Sequence, residues 1–213
     1  VSQRTAKGNQ IRGLVAEYGL VAPQQIHHLR AAVPDWLEDA ENGLSDRFRR
    51  MLNGLWGDLR KLDDRVREMD KEIELIANND RVAKRLQQLR GVGPMVATAL
   101  LAAVGDGKAF SNGRQMSASL GLTPRQHSSG GKDRLLGISK RGDATLRSLL
   151  IHGARSAIYA ARGKEDRLSL WVNNIASRRH ANVAAVAFAN KTARIAWAML
   201  RNEMDYDPAL AVA

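Results

Sequence analysis

Residues 126–143 read QHSSGGKDRLLGISKRGD. Two adjacent serines, Ser128 and Ser129, precede Gly130 and Gly131, and Lys132, Arg134, Lys140 and Arg141 follow, with Arg125 and Arg147 flanking the run. Serine attack on a phosphodiester needs a hydroxyl on accessible backbone and cations around the charge that develops on phosphorus. Glycines let that backbone approach closely. The same residues also read as a turn that grips phosphate, its hydroxyls donating hydrogen bonds and no more. Composition alone favours the grip. His127 beside Ser128 suggests a general base, but neighbouring side chains of an extended segment point to opposite faces, so adjacency is weak support.

Other catalytic patterns are missing from the sequence. There is no HExxH and no GxGxxG. The GGK at 130–132 is not a P-loop, since Gln126 stands where its first glycine belongs and Asp133 replaces the Ser/Thr that would meet magnesium. Zero cysteines exclude disulfides and Cys-ligated metal sites. Carboxylates in the later part of the chain are sparse and unclustered, so no metal-ligand set and no two-metal centre are expected within it. His27, His28, His152 and His180 are solitary and read as surface or packing residues. Trp171 and Trp197 read as core.

The chain has 213 residues, 44% of them hydrophobic, with a net charge of +11. Residues 1–80 hold 12 Lys/Arg against 14 Asp/Glu, whereas residues 81–213 hold 21 against 8. A near-neutral first part and a strongly basic second part point to a polyanionic partner met by the second. No apolar run approaches the roughly 20 residues of a membrane span, and no signal peptide is visible. The sequence opens at Val1 within a helical pattern, so a further N-terminal part is expected.

Positioning the motif falls to helices, and the fold class is read as mainly α. A first helix covers 1–18, and a second covers 23–32, ending before Pro34. Ser45 is placed to cap a long helix carrying Phe48, Leu52, Leu55, Leu59, Leu62, Val66, Met69, Ile73 and Ile76 at alternating spacings of four and three. This is a heptad stripe that predicts a coiled coil, with a long core helix as the alternative. After a break at 78–80, LQQLRGVGPMVATALLAAVGD (86–106) reads as helix, glycine hairpin and helix. Gly91 and Gly93 flank the turn, and Pro94 opens the second helix, whose N-terminus could hold a phosphate. A plain αα-hairpin is the alternative. A short helix over 112–120 leads to a loop over 125–142. Asp143 then caps a helix over 144–162, and further helices cover 166–178 and 181–204. Divided this way, 1–79 is a helical linker and coiled-coil segment, 80–205 a second domain, and 206–213 a fraying tail.

The run LRGVGPMVATALLAAVGD, followed by LGLTPRQHSSGGKDRLLGISKRGD and LLIHGAR, resembles the C-terminal half of DEDD-class insertion-sequence transposases. These are relatives of the Piv/MooV DNA invertases, and some are bridge-RNA-guided recombinases. The resemblance covers nearly the whole chain, and the serine–glycine block is its most specific part. It implies a serine that joins covalently to DNA, carried over to Ser128 with Ser129 as the close alternative. It implies DNA clamped by Arg125, Lys132, Lys140 and Arg141, with Gly130, Gly131, Arg134, Arg147, Gly91 and Gly93 also at the nucleic-acid surface. An N-terminal RuvC-like domain, absent here, would bring Mg2+; no cofactor is expected within the chain itself. The resemblance further implies homo-oligomers (a dimer through the coiled coil, or a tetramer), a guide RNA in the guided members, and a bacterial cytoplasmic, nucleoid-associated location. Two other functions compete with this one: a non-catalytic nucleic-acid-binding and dimerisation module, and a purely oligomeric assembly domain.

Overall fold

A computed structural model describes residues 1–128 and 134–209 and is mainly helical. The chain divides into two units, Val1–Glu72 and Ile73–Ala213.

In the first unit, α1 (Ser2–Ala16), α2 (Ile26–Glu38) and the start of α3 (Asp46–Asn79) enclose one core. Ile11 and Val15 of α1, Leu29 and Val33 of α2, and Leu52 and Leu59 of α3 are completely buried. Each such side chain contributes about 1.5–3 kcal/mol by leaving water. Helix α2 runs through Pro34 rather than ending before it. Pro34 removes one helical hydrogen bond, but Val33 is buried, and the carbonyls at the end of the helix are bonded from outside it. Arg49 Nη1 donates to the carbonyls of Trp36 and Leu37 at 3.0 Å each, and Asn42 Nδ2 donates to that of Trp36 at 2.7 Å. Packing and these external donors outweigh the local preference against helix.

The heptad stripe of α3 is split in its use. Phe48, Leu52 and Leu59 lie in the core that α1 and α2 share, so the chain itself supplies the partners expected of a coiled coil there. Farther along, Leu62, Val66 and Ile73 are half-buried, and Met69 and Ile76 are exposed. Asp63, which follows Leu62 of the stripe, is buried. It accepts two hydrogen bonds from Arg30, at 2.9 and 2.6 Å, with Arg4 at 3.6 Å.

The second unit is built around α7 (Ala144–Ala160) and α9 (Ala181–Arg201), against which α4 (Arg81–Leu86), α5 (Pro94–Val104), α6 (Gly113–Ser119) and α8 (Arg167–Arg178) pack. Side chains cap most of these helices. Asp80 accepts from the amides of Val82 and Ala83, Asn112 from Gln115, Asp143 from Thr145 and Leu146, and Asp166 from Ser169. The tail read as fraying is tied as far as Ala209. Gln88 Oε1 accepts from the Tyr206 amide at 2.8 Å, and the Ala209 carbonyl accepts from Arg167 at 3.3 Å.

Asp166 does more than cap. Ser169 Oγ donates to it at 2.6 Å, and Arg90 reaches both Ser169 Oγ (2.7 Å) and the carboxylate (3.0 Å), joining α8 to the turn after α4. The Ser169 hydroxyl, then Arg90, holds the carboxyl at about 2, below its ordinary 3.8. Its stabilising contribution is therefore full above about pH 3.8 and is lost as pH falls through about 2. Asp166→Asn is expected to lower the melting temperature at neutral pH, with the gap from the parent closing near pH 2. Thermal melts across that range check it.

Candidate functional site

The segment read as an irregular loop over 125–142 contains a two-stranded antiparallel hairpin, β1 (Pro124–Gln126) and β2 (Leu135–Ile138). Pro124 pairs with Ile138 and Gln126 with Leu135, with an irregularity between. The His127 amide donates to the Arg134 carbonyl (2.9 Å) toward the tip, and at the base Ser139 donates to Thr123 (2.9 Å) and Lys140 to Gly121 (3.2 Å). The Gly/Ser/charge composition hid the strands because it matches a loop, and pairing across the tip is a non-local property.

Two glycines make the base. Gly121 (φ +69°) lies against the backbone of Lys140 and Arg141, and Gly142 (φ +84°) against the Ser119 carbonyl. A Cβ at either would overlap backbone atoms, and both hold left-handed conformations that glycine alone adopts without strain. Arg147 secures the junction from α7, its Nη1 donating to the carbonyls of Leu120 (3.1 Å) and Arg141 (3.2 Å). Asp143 then opens α7, so GLTP at one end and KRGD at the other serve as the closing device of the hairpin.

Ser128 is exposed beyond β1, and its Oγ accepts a hydrogen bond from Gln126 Nε2 at 2.9 Å. Arg125, His127 and Arg134 are exposed beside it. Ser129, Gly130, Gly131 and Lys132 lie outside the described residues. Lys140 and Arg141 are exposed at the hairpin base, where Lys140, Arg147, His152 and Arg155 line a cleft of about 340 Å³ with Ile138, Ile151, Ala144 and Ser148. Ser148, His152 and Arg155 share one face of α7 by their spacing of four and three, but that this face borders the cleft depends on where the hairpin lies. Gln126 carries no motif signal.

The two glycines of the earlier hairpin have separate placements. Gly91 (φ +79°) packs backbone to backbone on Gly153 of α7, each occupying space that a Cβ on the other would need. Gly93 is exposed and precedes Pro94 at the start of α5. Among the described residues no group of three or more His, Asp or Glu side chains is arranged to hold a metal ion. None of the described helices is long and apolar enough to cross a membrane.

Residues 83–168 match the family model described as transposase IS116/IS110/IS902 family. The chain is 43% identical over 206 residues to the transposase for insertion sequence element IS1111A of Coxiella burnetii, an alignment covering 97% of this chain and 57% of that protein. It is 38% identical over 199 residues to the transposase for insertion sequence element IS1328 of Yersinia enterocolitica, covering 92% and 58% respectively. The chain thus spans less than two thirds of the length of these curated relatives.

Gly142→Ala drives a methyl group into the Ser119 carbonyl at a left-handed φ, and is expected to destabilise the second unit by at least about 2 kcal/mol. Gly137→Ala, which meets open space, should change stability by less than about 1 kcal/mol. Denaturant midpoints of the two variants compare them directly.

Proposed function

We infer from residues 83–168, which match the IS116/IS110/IS902 transposase family model, that the chain is the C-terminal portion of a DEDD-class insertion-sequence transposase. It binds DNA and supplies Ser128 as the nucleophile for strand cleavage and exchange. What supports this reading is the placement of Ser128: exposed toward the tip of a hairpin fixed at its base by backbone contact, with Arg125 and Arg134 exposed on the same strands and Lys140 and Arg141 at the base.

The reaction runs in two transfers. Ser128 Oγ bonds to phosphorus as its proton passes to solvent, and the displaced strand oxygen leaves and takes up a proton to become a hydroxyl. A hydroxyl of the partner strand then attacks the phosphoserine, the Oγ–P bond breaks, and Ser128 regains its proton. One phosphodiester has replaced another, with no net hydrolysis. The Gln126 amide on Oγ stabilises the charge that develops as the proton leaves, and Arg125 and Arg134 balance the charge on the phosphate.

The resemblance assigns Mg2+ to an N-terminal RuvC-like domain, where it would polarise the scissile phosphate. The described residues of this chain offer no ligand cluster for it, so no step above is routed through the ion. The composite site would draw on another domain or another copy, with copies meeting through the exposed end of the α3 stripe at Met69 and Ile76. In the guided members of the class, target choice belongs to an RNA partner.

Full-length protein mixed with element-end junction DNA should yield a protein–DNA adduct on a denaturing gel. Ser128→Ala is expected to abolish it and Ser129→Ala to retain it. Recombination by both variants without any adduct would show that the hairpin only grips phosphate. Arg141→Gln should lower the slope of log K against log salt on duplex DNA by about one unit, as loss of one phosphate contact does.

A further inference from the structure

A second concave surface lies between the hairpin and α9. β2 and α9 enclose a groove of about 650 Å³ that Ser128, Arg125, Arg134, Lys140 and Arg141 do not line. Its walls are apolar: Pro124, Leu136 and Ile138 from the hairpin, Val183 and Val186 from α9, and Trp171 from α8. Leu136 and Val183 remain 39% and 51% exposed. At one edge stand Lys191 and Arg194, and among the described residues no carboxylate lines the groove and neither cation forms an ion pair. Lys191 Nζ sits 4.9 Å from the centroid of the Trp171 ring. Partial burial, then Arg194 and Arg167 nearby, holds the Lys191 ammonium below its ordinary pKa. Both cations also line a second cavity with Asp205 and Asp207, but neither carboxylate lines the groove itself.

Two amides stand in the wall with one half of each committed. Asn190 Nδ2 donates to the Leu122 carbonyl at 3.2 Å, leaving Oδ1 as an acceptor, and Asn182 Oδ1 accepts from Arg155 at 3.2 Å, leaving Nδ2 as a donor. Apolar and aromatic walls, the Asn190 amide beside Lys191, and a cationic edge without a carboxylate in the groove match an unstacked base with its phosphate. An apolar protein segment would cover the walls and leave Lys191 and Arg194 without a counter-charge.

We propose that this groove holds an unstacked base of single-stranded DNA, its adjoining phosphate on Lys191 and Arg194. The inference rests on the reading of the chain as a DNA-strand-handling protein, but not on the nucleophilic role of Ser128.

The test titrates the protein with a short deoxyoligonucleotide, single-stranded or as a duplex, and reads tryptophan emission with Trp171→Phe as the subtraction. Single strands are expected to quench the Trp171 part of the signal. Val183→Glu places a carboxylate at the mouth of the groove; it lies in the first turn of α9, where a negative charge suits the helix. It should weaken single-strand binding at least about fivefold, while changing duplex binding no more than Arg162→Gln, a cation outside the groove. Arg194→Gln should lower the single-strand salt slope by about 0.7. Unchanged single-strand affinity in both groove variants, or tighter capture of RNA of the same sequence, would overturn the proposal. An adduct at Ser128 with no groove effect leaves the nucleophile standing without the groove, and the reverse pattern leaves the groove without the nucleophile.

Discussion

Backbone meets backbone where the hairpin leaves the helical body. Gly121 lies against Lys140 and Arg141, and Gly142 against Ser119, so the two ends of an 18-residue segment, 124 to 141, close on each other with no side chain between them. That closure positions the hairpin residues of the candidate site. It leaves Ser128 exposed, brings β2 beside both the α7 cleft and the α9 groove, which share Ile138, and delivers Asp143 to the start of α7. Gly91 against Gly153 uses the same device to seat the α4–α5 turn on α7. Such contacts admit no substitution by volume, because the competing atoms are carbonyls that cannot turn aside.

The positive charge of the chain is divided between two kinds of work. Arg49, Arg147 and Arg90 spend guanidinium hydrogens on carbonyls, on a buried serine and on a carboxylate, closing helix ends and loops. Arg30 compensates Asp63, whose burial would otherwise leave a charge unpaired. Arg125, Arg134, Lys140 and Arg141 are exposed around the hairpin, and Lys191 and Arg194 edge the apolar groove. Planar Arg suits the structural positions, since its fork reaches two carbonyls at once. Part of the surplus in residues 81–213 thus lies on the hairpin and on the α9 edge of the groove beside it.

The α3 stripe illustrates how a sequence pattern can be correct about periodicity and silent about partner. A run of apolar residues at intervals of four and three determines that one face of the helix leaves water. Whether α1 and α2 or another helix covers it is set by chain connectivity, and here the answer changes along the helix. Phe48, Leu52 and Leu59 are covered from within, whereas Met69 and Ile76 are not.

Much of the molecule was legible from the sequence because its causes are local. Helical periodicity gave the mainly α class, Asp143 announced its helix as a capping residue, and the density of Ser, Gly and cations at 125–142 marked the segment that stands out from the body. Pro34 misled, because its local cost is outweighed by the burial of Val33 and by donors from Arg49 and Asn42, residues up to 15 positions away. The strands at 124–126 and 135–138 were hidden for a related reason: antiparallel pairing joins residues distant in sequence and needs no apolar alternation when both faces stay exposed. Only the tertiary structure decided that Arg147 secures carbonyls, that Asp63 is buried, and that Trp171, Lys191 and Val183 border one groove. Those properties depend on which backbones approach one another, and a one-dimensional pattern carries no term for that distance.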